Sequence, residues 1–340
     1  MKKSFLIIAA MAGVLFTACE NGDWDFPDYK YSAVYFAYQS PNRTITLGED
    51  ETVDNSMDNE HKCQIMATIG GIYENKKNVE IGIRVDNSLC DGFVFESTKS
   101  DLEPLPSTHY TLSDDKIVIQ KGKVLGGVTV NLTDAFFNDP KSTKLNYVIP
   151  VVMTGVQNAD TILEGKPSVA TPHRLNKDDW EVQSKDYVLY AVKYISKYDS
   201  HYLRRGVDTY SGNKTGTEIR HAAYVEKDET INGFSTVGLN TVQWARPTKN
   251  AAGENIESNL LLSFDESGNC TITSNTEGVA ATGTGKFVVK GDKNSWGNTD
   301  RDVIYLDYTM DYDGIHCATK DTLVAHYRGV KAEWFTPVKK

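Results

Sequence analysis

Hydrophobic residues in this chain recur with a period of two. Cys63, Ile65, Ala67 and Ile69 alternate with other residues, and Val79, Ile81, Ile83 and Val85 alternate with Glu80, Gly82, Arg84 and Asp86. Val128, Val130 and Leu132 repeat the pattern. Each set reads as one buried face of an antiparallel strand. Residues 33–38 supply a first strand, and residues 116–120 another, ended by Lys121-Gly122. Residues 147–153 form a nearly continuous apolar run fit for a central strand, although Pro150 removes a ladder donor and so implies an edge or a bulge. About seven short strands with turns between them predict an immunoglobulin-like β-sandwich. The Cys…Trp…Cys core of antibody domains is missing.

The pattern breaks over 156–182, where Gly165, Pro167, Pro172, Asn176, Asp178 and Asp179 interrupt any strand. A helical period follows over 184–198. Val188, Ala191, Val192 and Ile195 share a face, with Ser184 as a candidate N-cap and Asp186 in the first turn. Strand patterns then return at 202–210 and 235–244. Leu260, Leu262 and Phe264 alternate up to the turn signal Asp265-Glu266-Ser267-Gly268-Asn269, and residues 270–274 complete a hairpin. Ile304, Leu306, Tyr308 and Met310 alternate, Leu323, Ala325 and Tyr327 answer them, and residues 331–335 close the chain. Sequential hairpins predict an up-and-down antiparallel β-barrel, with a second sandwich as the alternative. The expected fold is therefore all-β: a sandwich over 29–165, a linker over 166–182, and a barrel with one short helix over 183–340.

The N-terminus changes the picture. Met1-Lys2-Lys3 precedes an uncharged run from Phe5 to Phe16, the pattern of an export signal and too short for a stop-transfer helix. Phe16-Thr17-Ala18-Cys19 resembles a bacterial lipobox, which implies removal of residues 1–18 and lipid on Cys19. Residues 19–28 carry four carboxylates and read as an acidic tether. In Bacteroidetes-type lipoproteins, acidic residues after the lipidated cysteine resemble the signal for the outer face of the outer membrane. That resemblance implies a lipid-anchored chain facing the exterior.

About 320 residues then remain, enough for two domains of about 150 each. The formal charge is −10, and losing Lys2 and Lys3 makes it more negative, which argues against nucleic acid as a partner. Besides Cys19, the cysteines are Cys63, Cys90, Cys270 and Cys317. Disulfides and free buried thiols both fit them, and no spacing among them suits zinc.

Two longer segments carry family resemblances. Residues 34–48, Ile117-Val118-Ile119-Gln120-Lys121-Gly122 and Tyr147-Val148-Ile149-Pro150-Val151 resemble the Bacteroidetes family called domain of unknown function 1735. The resemblance covers about residues 29–165. Lys193-Tyr194-Ile195, Tyr202-Leu203-Arg204-Arg205-Gly206-Val207-Asp208, Ser295-Trp296-Gly297 and Arg328-Gly329-Val330 look like the lipocalin-like domain that often follows it. These resemblances imply capture of an oligo- or polysaccharide at the cell surface, in a polysaccharide-utilisation system. They supply no catalytic residues.

Glycan binding needs aromatic faces for sugar CH surfaces and amides, carboxylates or Arg for hydroxyls. Trp296 lies in a polar loop with Asn294, and Trp244 ends an alternating strand before Arg246. Arg204, beside Arg205 on the first barrel strand, is the candidate inward cation, with an ion pair as the alternative. For Trp244 and Trp334 the alternative is barrel core. Trp296, Asn294, Arg204 and Trp244 are the expected ligand-binding residues. Asp292 and Asn294 match the start of a calcium loop, but Trp296 fills the fifth place and Val303 the twelfth, so no cofactor is expected. No HExxH, GxSxG or complete Walker loop occurs. The expected function is a non-catalytic, glycan-binding surface lipoprotein. The alternatives are a glycoside hydrolase using two carboxylates, and a scaffold partner of an outer-membrane transporter.

Overall fold

The structure is a computed structural model that describes residues 29, 31–221, 230, 231 and 233–340. The signal segment, Cys19 and the tether to residue 28 lie outside the described residues.

The alternating segments near the N-terminus do form strands, and they pack as two facing sheets. One has the order Thr161–Ile162, Ala33–Tyr35, Lys62–Gly70, Leu125–Leu132, Tyr110–Leu112. The other runs Glu333–Trp334, Pro41–Thr46, Tyr187–Ile195, Tyr147–Gln157, Val79–Val85, Lys116–Ile119, with Glu103–Pro104 also paired to Tyr147–Gln157. Their inner faces meet in one core that includes Val34, Ile65, Ile81, Val128, Ile149 and Val192.

The helix expected over 184–198 is a strand, Tyr187–Ile195. It pairs antiparallel with Tyr147–Gln157 and parallel with Pro41–Thr46. Val188, Tyr190, Val192 and Tyr194 enter the sandwich core. Tyr187, Leu189 and Ala191, on the opposite face, pack in a second cluster with Leu89, Phe93, Phe95 and Phe335. Where a strand is covered on both faces it has no polar register, so residues 187–192 are apolar without a break and mimic a helical stripe. Residues 183–195, assigned to the second domain by pattern, thus fold with the first. The expected linker over 166–182 contains the small hairpin of Lys166–Pro167 and Trp180–Val182.

Pro150 sits in the central strand rather than at an edge, opposite Leu189. On its other side, pairing with Glu103–Pro104 ends at Val148 and pairing with Val79–Val85 begins at Val151, so the missing donor falls between two neighbours. The bulge in this strand lies further on, between Met153 and Gly155.

The second unit is a strongly curled antiparallel meander. Its order is Gly216–Arg220, His201–Gly212, Ile315–Tyr327, Arg301–Tyr312, Val279–Asp292, Asn269–Ser274, Asn259–Phe264, Thr241–Ala245, Phe234–Gly238. Thr230–Ile231, just before the last of these strands, pairs with His201–Gly212 and brings the meander back on itself. The run 235–244 is a tight hairpin rather than one long strand, turning between Gly238 and Thr241. The interior is filled by Trp244, Tyr202, Tyr308, Leu260, Leu262, Met310 and their neighbours. Cys63, Cys90, Cys270 and Cys317 are all free and buried.

The chain end leaves the barrel. Glu333–Trp334 joins the sandwich beside Pro41–Thr46, and Pro337–Lys339 pairs with Phe93–Phe95. The join between the units is close. Gly48 has φ +82, and a Cβ there would lie 2.7 Å from Lys197 Cβ. Arg328, at the end of the barrel, reaches across it. Its Nη1 donates to Leu47 O (2.7 Å), its Nη2 to Ser196 O (2.6 Å) and its Nε to Asp199 O (2.7 Å). Replacing Arg328 by Met removes a charged donor from all three carbonyls. We expect a loss of about 2–4 kcal/mol and the appearance of two unfolding transitions, read by urea denaturation.

Candidate functional site

Alternation along His201–Gly212 turns Tyr202, Arg204, Asp208 and Tyr210 to the barrel interior, where all four are buried. Thr319 and Asp321 face them from the neighbouring strand, opposite Asp208 and Gly206. Arg204 Nε donates to Asp321 Oδ2 at 3.0 Å. Asp208 accepts from Arg220 Nη1 (2.8 Å), Arg246 Nη2 (3.1 Å) and Thr319 Oγ1 (2.6 Å). Arg246 Nε donates to the Tyr308 hydroxyl, which in turn donates to Asp321 Oδ2. Gly206 leaves room for this cluster, because a Cβ there would come 2.4 Å from Asp321 Oδ1.

Arg204 does turn inward, and the ion pair expected as its alternative is formed, while Trp244 lies in the barrel core. Arg204 is 6 % exposed and ion-paired, with its guanidinium 5.1 Å from the Trp244 ring centroid. Trp244 is fully buried. Three guanidiniums and two carboxylates share this interior, and a buried charge is tolerated only when paired. Burial by itself pushes the Asp208 carboxyl up, but Arg246 and Arg204 beside it, with the Arg220 and Thr319 bonds, hold it far below the usual carboxylate range.

The loop singled out by sequence lies at the barrel rim. Asn294 is exposed with φ +48, and its backbone N–H donates to Asp300 Oδ1 at 2.9 Å. Trp296 begins the short 3-10 turn Trp296–Asn298, and its side chain is outside the described residues. The carboxylates of the calcium-like pattern hold the loop itself: Asp292 accepts from Ser295 Oγ, Asp300 pairs with Lys293, and Asp302 accepts from Lys290 N–H. Among the described residues, no group of three or more His, Cys, Asp or Glu side chains is placed to hold a metal ion.

The site that the fold itself builds lies in the crevice between the units. A cavity of about 570 Å³ is lined by Asn42, Arg43, Thr44 and Thr46 of the sandwich edge, by the following loop with Asp50, Thr52 and Asp54, and by Tyr327 and residues 329–332. A smaller cavity of about 40 Å³ adjoins it, sharing Asp50, Thr52 and Tyr327 and adding Lys290, Arg301 and His326 from the rim. Arg43 pairs with Asp58 at 2.5 Å, and Asp58 also accepts from Thr46 N–H, so one wall is fixed by a buried carboxylate. Lys290 and Arg301 reach across to Glu49 and Glu51. Tyr327, 40 % exposed, lies flat on His201 with ring centroids 4.2 Å apart and planes 4° apart. The groove thus offers one rigid aromatic ring amid amide, hydroxyl, guanidinium and carboxylate groups. Tyr327 is visible in the sequence only as one more alternating strand residue. Trp334, taken for a barrel strand, is instead exposed on the sandwich.

Two family models match the chain. One, described as Domain of unknown function (DUF5627), matches residues 197–329, and the other, described as an N-terminal domain, matches residues 29–160. No curated protein matches. A solved Bacteroides ovatus protein of unknown function is 46 % identical, with a TM-score of 0.85 over 92 % of this chain and 100 % of that chain. The chain belongs to the family of that protein. The C-terminal match carries the unknown-function description rather than a lipocalin-like one. A second Bacteroides ovatus protein of unknown function is 14 % identical over 90 % of this chain and 100 % of that chain, with a TM-score of 0.40. A Bacteroides ovatus ATCC 8483 protein described as a "putative carbohydrate binding protein" is 14 % identical over 90 % of this chain and 89 % of that chain, with a TM-score of 0.25. At such scores neither of these two likenesses carries a functional argument.

The Asp208 cluster predicts an acid dependence. A depressed folded-state value makes Asp208 stabilising above the ordinary carboxylate range, and that stability is lost as pH falls below about 4. Asp208→Asn is expected to cost about 3–5 kcal/mol at pH 7 and to flatten the acid limb of the stability profile measured by urea denaturation.

Proposed function

We propose that this chain is a non-catalytic glycan-binding lipoprotein of the cell surface, and that the crevice between its two units holds the saccharide. The observation that carries this reading is the Tyr327 ring, fixed flat on His201 at the wall of a groove whose polar lining includes Asn42, Arg43, Thr44, Asp50, Thr52 and Asp54. A sugar presents an apolar CH face and a rim of hydroxyls, and this wall answers both. The volume falls within the range of about 300–1,000 Å³ usual for ligand sites. Cys19 is the anchoring residue in this reading, with the acidic tether to residue 28 holding the globular part off an outer membrane.

Affinity gels containing xylan, mannan, starch, pectic galactan or mucin test it. Retention by at least one polymer is expected. Tyr327→Ala should weaken that binding by about 1–2 kcal/mol, or roughly tenfold, through lost stacking. No retention across the panel, or equal retention of the variant, overturns the reading. Release of reducing ends by the same preparation would instead mark a hydrolase. Labelled palmitate is expected to enter the wild-type chain and not Cys19→Ser.

A second reading, a scaffold for an outer-membrane transporter, is favoured by the filled barrel interior, with Trp244, Tyr202 and Tyr308 in the space a hollow barrel would leave. Co-purification with a transporter, together with no saccharide retention, would select it.

A further inference from the structure

We infer that Tyr38 and Trp334 form a second saccharide platform continuous with the groove, so that the ligand is a chain of several sugar units rather than a mono- or disaccharide. This inference rests on the glycan reading above and names the class of ligand.

Trp334 is 57 % exposed and Tyr38 is 62 % exposed, and their ring centroids lie 5.7 Å apart. Two large aromatic rings standing together in solvent are an apolar patch that folding alone does not require. The support beneath them is rigid. Pro41 and Asn42 pair with Trp334 and Glu333, and Phe335 N–H donates to Ser40 O. The next side chain, Phe335, is buried edge-on against Phe95. The indole is thus held by backbone on both sides while its ring stays outside. On the other face of this strand, Glu333 Oε2 accepts from Asn42 Nδ2 at 2.6 Å and from Lys193 Nζ at 2.8 Å, which fixes the strand that carries the indole.

The two places are joined by one stretch of chain. Tyr327 and residues 329–332 line the groove, and the same segment runs directly into Glu333–Trp334. Asn42 links them through the backbone, since it lines the groove and pairs with Glu333, the residue before Trp334. Trp334 stands opposite Pro41, at one end of Pro41–Thr46, whereas Arg328, next to Tyr327, bonds Leu47 O just beyond the other end, about 20 Å away along the strand. A saccharide stacked on Tyr327 reaches the second platform only if it has several units. A short one is held by the groove alone.

The test uses the full chain and whichever of xylan, mannan, starch, pectic galactan or mucin glycan is retained, cut by partial hydrolysis and fractionated by length. For the wild type, affinity measured by titration calorimetry should rise with length. Trp334→Ala with Tyr38→Ala should remove that rise. The longest fraction should bind about three- to tenfold more weakly, and the shortest should be unchanged. Tyr38→Ala alone, at an exposed position outside any strand, should show the same trend in smaller measure and guards against a folding defect in the double variant. Tyr327→Ala should weaken every length. Equal weakening at all lengths, or none, overturns the second platform while leaving the groove in place. Absence of binding to every polymer overturns the glycan reading itself.

Discussion

The geometry of the crevice depends on the Arg328 guanidinium. It is nearly buried, and burial disfavours its charge. Three backbone carbonyls compensate, one from the sandwich loop at Leu47 and two, at Ser196 and Asp199, from the segment entering the barrel. A planar group with diverging donors suits this task, since three carbonyls can be met at once in fixed directions. Because Arg328 follows Tyr327 directly, the contact that joins the units also sets the ring that lines the groove. Asp199 adds a second tie: its carboxylate accepts from both the N–H and the hydroxyl of Thr236, and Ser196 N–H donates to the same hydroxyl.

The units are further interleaved by chain path. The strand Tyr187–Ile195 completes the sandwich and then feeds the barrel, and the barrel's last strand returns the chain to the sandwich edge at Glu333–Trp334. A groove bounded by the two crossings has walls that resist separation. That is the condition for holding a ligand without a large ordering cost.

The barrel interior follows a different logic. Arg204, Arg220 and Arg246 against Asp208 and Asp321 form a network that leaves each charge paired. Desolvation offsets much of the attraction in such a network, so its net gain is small, although breaking one pair leaves a buried charge and is costly. That cluster and the aromatic core fill the interior, while polar groups remain accessible at the rim and in the crevice.

Sequence alone determined the all-β class, the barrel hairpins such as Asn259–Phe264 with Asn269–Ser274, and the alternating strands of the sandwich. In those segments one face meets solvent, so the period of two is written locally. Tertiary structure decided the rest. The strand Tyr187–Ile195 reads as a helix because its outer face is covered by Phe335 and Leu89, residues far away in the chain. Alternation showed that Arg204 or Arg205 turns inward, but not that Asp321, 117 residues away, would neutralise it. Trp334 and Trp244 look alike as strand tryptophans, yet one stands in solvent and the other has no exposure, because only the fold sets which face of each strand is covered. The groove is the extreme case: its Arg43 wall and its Tyr327 wall come from opposite ends of the chain, and no local pattern joins them.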